Sequence, residues 1–320
     1  MGQPLPVGEF GLIDRIRRRA PKGGRTSLGI GDDCAALEVT AGVELLVTTD
    51  MLMEGSHFRL DQATPAEVGY KSLAVSLSDV AAMAGVPRAA VVAVALRRDR
   101  ATELAQGFLD GMLPLAGRFG VDLIGGDTNA WDGPFVVSVT LLGEATPRGA
   151  VRRAGARPGD LVYVTGPLGG SLLGRHLRPE PRVAEALALH EVADLHAMID
   201  LSDGLSSDLR HILDESGGLG ATLDAGAIPI HADAVAMSAR DGRPALDHAL
   251  HDGEDFELCL VVDPSAAARL DAQPVSSIRL RRIGAIEAEP GLRLRSGDGQ
   301  VRPLAPGGFD HLRSDRDPAR

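Results

Sequence analysis

The chain has 320 residues, 44% apolar and only 3% aromatic, with 33 basic against 44 acidic side chains and a net charge of −11. The acidic balance and the scarcity of stacking surfaces exclude a nucleic-acid binder. No apolar stretch approaches the roughly 18 residues of a membrane span and no secretory signal is present, so a cytoplasmic protein without membrane contact is expected.

That length supports two domains, each with its own core. Residues 8–16 carry helical spacing, with Leu12, Ile13 and Ile16 on one face. The basic, glycine-bearing stretch from Arg17 to Arg25 reads as a solvated loop. Strands are predicted at 43–49, 89–96, 121–124 and 134–143, and helices at 65–84 and 101–118. The first of these helices has a full start signal: Thr64 as cap, Pro65 at the first helical position and Glu67 three after the cap, with Gly85 as the stop. Gly, Pro and Arg concentrate from Glu144 to Asp160, which puts a domain junction near 147 and divides the chain into 1–147 and 148–320. The second half resumes with a strand at 161–165 and a glycine-rich turn at 166–171. Helices near 183–196, 204–215 and 264–270 follow, with strands near 220–224, 256–262 and 279–284 and a polar tail after Pro306. Both halves read as α+β or mixed α/β. Of the two cysteines, Cys259 lies in an apolar run and is expected to be a buried, reduced thiol, with no disulfide to Cys34.

Six short acidic clusters adjoin small residues: Gly29-Ile30-Gly31-Asp32-Asp33, Thr48-Thr49-Asp50, Leu77-Ser78-Asp79, Gly125-Gly126-Asp127, Asp200-Leu201-Ser202-Asp203-Gly204 and Gly253-Glu254-Asp255. Converging carboxylates suit Mg²⁺, a hard ion that keeps positions open for water and for substrate phosphate. An Asp beside Gly or Ser is also ordinary turn and cap chemistry, and the fifth cluster has a second reading as a helix start capped by Ser202 or Asp203. Asp50 and Asp127 follow apolar runs, which sets them beyond the carboxyl ends of strands, where open sheets bind ligands. Asp79 lies in an apolar helix near its C-terminal end, against the macrodipole, and calls for a compensating cation. The common phosphate scaffolds are absent: there is no Walker A string, no third glycine after Gly29-Ile30-Gly31 and no kinase catalytic loop. The turn at 166–171 reads either as a set of phosphate-binding amides or as a plain strand-to-helix turn. His57 reads as a ligand contact or a packing residue, and Arg153 as a phosphate clamp or a linker charge.

Taken in order, the strings Gly29-Ile30-Gly31-Asp32-Asp33-Cys34-Ala35, Thr48-Thr49-Asp50-Met51-Leu52, Glu54-Gly55-Ser56-His57-Phe58, Lys71 to Asp79, Ile124-Gly125-Gly126-Asp127-Thr128, Ile199 to Leu205 and Gly253 to Leu258 resemble the thiamine-monophosphate kinase family. That family belongs to the superfamily typified by aminoimidazole ribonucleotide synthetase. The resemblance implies ATP-dependent phosphorylation of thiamine monophosphate to thiamine diphosphate by direct in-line transfer, with no phosphoenzyme and no general base. By motif position it implies Asp33, Thr48, Thr49, Asp50, Asp79, Asp127, Asp200 and Asp203 as ligands for several Mg²⁺ ions. Asp33, Gly126, Asp127, Arg153 and Ser202 become ATP contacts, and His57, Glu254 and Phe309 substrate contacts. It further implies a homodimer whose N-terminal sheet domains pair into a barrel, with a C-terminal α/β domain completing the site. Phe309 stands where Tyr or Trp is familiar, which keeps a stacking surface and removes a hydroxyl, and Trp131 stands where a polar or basic residue is common. Of the rivals, a selenophosphate synthetase favours a reactive cysteine in an N-terminal loop, and none precedes Gly29. The Thr-Thr-Asp-Met-Leu and Glu-Gly-x-His-Phe strings speak against the ribonucleotide synthetase itself. A non-enzymatic metal-binding protein would scatter its carboxylates.

Overall fold

The computed structural model describes residues 9–20, 24–30, 34–272, 274–276, 278, 280–305 and 307–308. The chain divides into two compact units, one of Met1–Val80, Gly85–Ala150 and Leu177–Pro179, the other of Ala81–Ala84, Val151–His176 and Glu180–Arg320.

The first unit begins with helix α1 (Glu9–Arg19), whose last turn carries Arg17, Arg18 and Arg19. These residues, expected in a loop, instead extend the helix, where positive charge meets the negative end of the macrodipole. Arg25 is also tied down: its Nη1 lies 3.0 Å from Glu144, a carboxylate that also takes Arg88 Nε at 3.0 Å. A short antiparallel ribbon of β1 (Thr26–Leu28) and β2 (Ala36–Leu37) follows. The main sheet has the order β3 (Leu45–Met53), β6 (Val136–Glu144), β4 (Val86–Arg97), β5 (Asp122–Trp131). Its β4–β5 pair is parallel and needs a crossover, which helix α3 (Ala101–Phe119) supplies; the other pairs are antiparallel.

β3 and β5 run to nine and ten residues, so Asp50 and Asp127, expected beyond strand ends, lie inside strands, as Thr48 and Thr49 do. The apolar runs stop early in the sequence, but the backbone ladder does not depend on side-chain polarity and continues through the polar residues.

Helix α2 (Pro65–Ala82) starts as the sequence predicts: Glu67 N donates to Thr64 Oγ1 at 3.2 Å and Thr64 N donates back to Glu67 Oε2 at 2.8 Å. Its stop differs. The left-handed residue is Ala84, with φ 50°, and Gly85 N donates to Val80 O at 2.9 Å before β4 begins. Helices α2 and α3 touch backbone to backbone: a Cβ added to Gly69 would sit 1.9 Å from Phe108 O, and one on Gly111 1.8 Å from Ala66 O. Only glycine permits that approach.

The second unit is a seven-stranded sheet in the order β13 (Val301–Pro303), β12 (Gly291–Arg295), β9 (Gly220–Asp224), β11 (Arg281–Glu287), β7 (Leu161–Val164), β10 (Leu258–Val262), β8 (Leu195–Asp200). Only β12–β9 is parallel. Helices α4 (Val183–Val192), α5 (Leu205–Glu215), α6 (Ala232–Asp241), α7 (Ala245–His251) and α8 (Pro264–Ala272) accompany it. Val162, Val164, Ile199, Leu209, Ile212, Val261 and Ile283 form its buried core. The helix expected over 183–196 ends at Val192, and the following residues form β8 because β10 offers a ladder partner. α6, α7, β12 and β13 were not expected from the sequence. Cys259 is buried and Cys34 exposed, both as free thiols. Among the described residues, no helix is long and apolar enough to cross a membrane.

Candidate functional site

Alternation along β3 sorts its side chains onto two faces. Leu46 and Leu52 are buried, with Thr48 and Asp50 half-buried between them, while Leu45, Val47, Thr49, Met51 and Met53 are exposed. Helix α2 packs on the first face and adds two polar side chains at helical spacing, Ser76 and Asp79. Ser76 Oγ donates to Asp50 Oδ2 at 2.5 Å, and the Thr48 hydroxyl donates to Asp79. Burial and then the charge of Asp79 push the Asp50 carboxyl up to about 6, against the pull of the Ser76 hydroxyl. Thr48, Asp50, Ser76 and Asp79 thus form one compact cluster of hard oxygens.

Thr49 and Asp127 are not part of it. In the sheet register Asp50 shares a row with Val139, Val92 and Gly126, whereas Asp127 shares the next row with Met51, Ser138 and Ala93 and faces the other way. Thr49 Oγ1 meets Thr140 Oγ1 at 3.2 Å and Asn129 Nδ2 donates to Asp127 Oδ2 at 2.8 Å. β3 and β5 are the two edges of the sheet, about 14 Å apart at three strand spacings. Asp33 lies outside the described residues.

His57 is held from two sides: Met53 N donates to its Nδ1 at 3.1 Å, and the fully buried Lys71 donates from Nζ to its carbonyl at 2.7 Å. With Nδ1 accepting, the neutral ring carries its proton on Nε2. Gly126 and Asp127 line a cavity of about 320 Å³ whose walls include Ile16, Val92, Leu96, Phe108 and Leu109. Trp131 donates from Nε1 to Pro134 O at 2.9 Å and lines a separate cavity of about 760 Å³.

In the second unit, Asp200 ends β8 and helix α5 begins at Leu205. Neither Ser202 nor Asp203 caps that helix. The cap position is Gly204, and Asp208, within the first turn, accepts from Asp203 N and Gly204 N, both at 3.0 Å. Asp208 can reach back because Gly204, at φ 116°, turns both amides toward the helix. Burial, then the charges of Asp200 and Asp203, push the Asp208 carboxyl up to about 8 in spite of its two backbone donors. Asp203, Asp208 and His211 bring ligand-type atoms within 4.8 Å of one another.

The loop before β10 closes on the same turn. Glu254 N donates to Ser202 O at 2.7 Å and Phe256 N to Leu201 O at 2.8 Å. Both donors are non-glycine residues in the left-handed region, at φ 63° and 51°. Asp255, between them, is buried; its carboxyl is pushed up to about 6 by burial, against the Arg175 guanidinium 2.8 Å away. Asp255 also accepts from Gly169 N at 2.8 Å, and Asp252 from Gly170 N at 3.1 Å. Those two amides of the 166–171 turn therefore serve carboxylates, and the turn acts as scaffold rather than as an open phosphate cradle. Ser202, Asp203 and Glu254 converge; Arg153 is exposed, with no ion-pair partner among the described residues, and Phe309 lies outside them. Ser76, Lys71 and Asp208 were not singled out from the sequence. Their signal was present for the first two as polar residues in an otherwise apolar helix.

Residues 31–145 match the family described as AIR synthase related protein, N-terminal domain. Over 314 residues the chain is 38% identical to thiamine-monophosphate kinase of Rhodopirellula baltica, covering 96% of this chain and 98% of the relative. The solved thiamine-monophosphate kinase of Stenotrophomonas maltophilia K279a superposes with a TM-score of 0.78 at 36% identity, over 92% of this chain and 98% of that one. The solved AaThiL complexed with AMPPCP and TMP gives 0.74 at 29% identity, over 98% and 99%. With carboxylates and hydroxyls gathered where its motifs lie, and relatives matched nearly end to end, the chain belongs to the thiamine-monophosphate kinase family.

Proposed function

We propose that this protein transfers the γ-phosphate of ATP directly to thiamine monophosphate, yielding thiamine diphosphate in the biosynthesis of that cofactor in the cytoplasm. The observation that carries the reading is the near full-length match to relatives named thiamine-monophosphate kinase, one neighbour of which was solved with AMPPCP and TMP.

The chain's own chemistry supports it. Thr48, Asp50 and Asp79 offer hard oxygens, and Asp50 is destabilised as an anion by its surroundings, a repulsion that a divalent cation relieves. These residues fit Mg²⁺, with Asp33, Thr49, Asp127, Asp200 and Asp203 as further ligands. Bound Mg²⁺ supplies neutralisation of the phosphates that must approach one another. Asp33, Gly126, Asp127, Arg153 and Ser202 contact ATP, and the apolar cavity beside Gly126 suits a purine. His57, Glu254 and Phe309 hold the substrate, His57 through an Nε2–H donor and Phe309 through its ring. The attacking phosphate oxygen is an anion at neutral pH, so no general base is assigned.

We further propose that 1–147 binds ATP and metal and dimerises, while 148–320 completes the site. The outer face of the four-stranded sheet supports pairing: Val47 is 60% and Met51 56% exposed, in one row along β3 with Thr49, on the face that also carries Asp127. A second copy covering this face would bury that row and bring the edge residue Asp127 to a neighbouring sheet.

Turnover of thiamine monophosphate with ATP and Mg²⁺ tests the activity, with selenide and formylglycinamidine ribonucleotide as alternative acceptors. Thiamine diphosphate is the expected product, and its absence from folded, nucleotide-binding protein overturns the proposal. Sedimentation of the active protein as a monomer would remove the pairing.

A further inference from the structure

Helix α5 carries a carboxylate that the fold holds on one side only. Asp208 is 2% exposed, and both of its hydrogen bonds, from Asp203 N and Gly204 N, end on Oδ2. Among the described residues Oδ1 takes no hydrogen bond and no ion pair. In a side chain this buried, an oxygen left without a donor calls for a water or an ion.

Two further donors converge on it. His211 follows three residues later on the same helix, which sets the two side chains on one face. Asp203 is drawn in by the bond from its own amide to Asp208. Ligand-type atoms of the three stand within 4.8 Å of one another. His211 is exposed and makes no hydrogen bond or ion pair among the described residues, so its ring is free to turn a nitrogen toward the two carboxylates.

The donor set differs from that of the Asp50 cluster. There carboxylates and hydroxyls supply oxygen alone, which suits Mg²⁺. Here an imidazole joins two carboxylates, and nitrogen ligands favour transition ions over Mg²⁺. Among those ions Mn²⁺ also accepts carboxylate oxygen and water readily.

We propose that Asp203, Asp208 and His211 form a Mn²⁺-selective site: Asp208 is its fixed corner, Asp203 the member shared with the metal set assigned above, and His211 the ligand that discriminates against Mg²⁺. The proposal rests on the earlier reading only in the metal-binding role of Asp203.

Mn²⁺ added to the nucleotide-free protein in excess Mg²⁺ tests it, with the bound ion followed by EPR. The unaltered chain is expected to retain one Mn²⁺ whose electron spin echo carries nitrogen modulation. His211→Ala, a surface change that leaves the fold intact, should lose the modulation and bind that ion at least about tenfold more weakly. Its Mg²⁺ affinity by calorimetry should stay within about twofold. Asp208→Asn can still accept both amides through its carbonyl but turns an NH₂ group toward the ion, and should lose the Mn²⁺ as well. Absence of nitrogen modulation in the unaltered chain, or its persistence in His211→Ala, overturns the proposal. So does a parallel loss of Mn²⁺ and Mg²⁺ affinity in His211→Ala, or a Mn²⁺ affinity unmoved by Asp203→Asn. These readouts do not pass through turnover, so their failure leaves the kinase reading standing, and thiamine diphosphate formation with Mg²⁺ decides that reading separately.

Discussion

Asp50 and Asp208 are both acids set beside other acids, yet they are held in different ways. Asp50 takes a hydroxyl from Ser76, on a helix separate from its own strand. Asp208 takes two amides from its own chain, four and five residues back. The first arrangement exists only when α2 is packed on β3; the second closes within one helical turn. A hydroxyl can rotate to suit an incoming ion, whereas backbone amides are fixed, so the Asp50 cluster is suited to ligand exchange and Asp208 to holding shape.

The largest effect should come from Asp50→Asn. Activity is expected to fall by about 10²–10³-fold, while the melting temperature in EDTA stays level or rises, because a carboxylate repulsion has been removed. A large loss of stability would place Asp50 with the shape-holding acids and erase the contrast.

Stability against pH gives a smaller, sharper test. Both carboxyls titrate higher in the folded protein than the ordinary value of 3.8, Asp50 at about 6 and Asp208 at about 8. The folded state then holds extra protons, so stability is full below pH 4 or so and declines as pH rises through each folded pKa. In EDTA, Asp50→Asn should flatten the decline up to about pH 6, and Asp208→Asn should flatten all of its own share, including the part between about 6 and 8. Denaturant midpoints across that range report it; an unaltered slope in Asp208→Asn would deny that residue its shifted carboxyl.

The smallest effect is a control away from both acids. Thr64→Ala removes the capping box of α2 and should cost about 1 kcal/mol by chemical denaturation. Above about pH 5 the pH slope should not change, because Glu67, whose carboxyl the Thr64 amide and hydroxyl hold below its usual value, stays ionised there. A changed slope would mean that the helix start is coupled to the acids at its other end.

The capping box was legible because its three residues act within one turn. The acidic strings were legible as an ordered set, but not their placement: which face of a strand Asp127 occupies depends on a register shared by four strands. Two strands were ended too early, at Thr49 and at Ile124, where polar residues or glycine follow an apolar run, since a ladder partner, not the side chain, carries the strand onward. The first two residues of β8, Leu195 and His196, were absorbed into a predicted helix and the other four went unassigned, because the apolar spacing fits either period until β10 is beside it. The hydrogen bond from the Ser206 hydroxyl to Gly307 O joins residues 101 positions apart and has no local signature at all.

Glu254 and Phe256 stand in a backbone region that costs a non-glycine residue about 1–2 kcal/mol. Glycine at 254 would relax the chain and delete the carboxylate in the same exchange. With Glu254 as the proposed substrate contact, a change made in this loop for heat resistance would trade against activity, because folding and the proposed chemistry ask for different residues at one address.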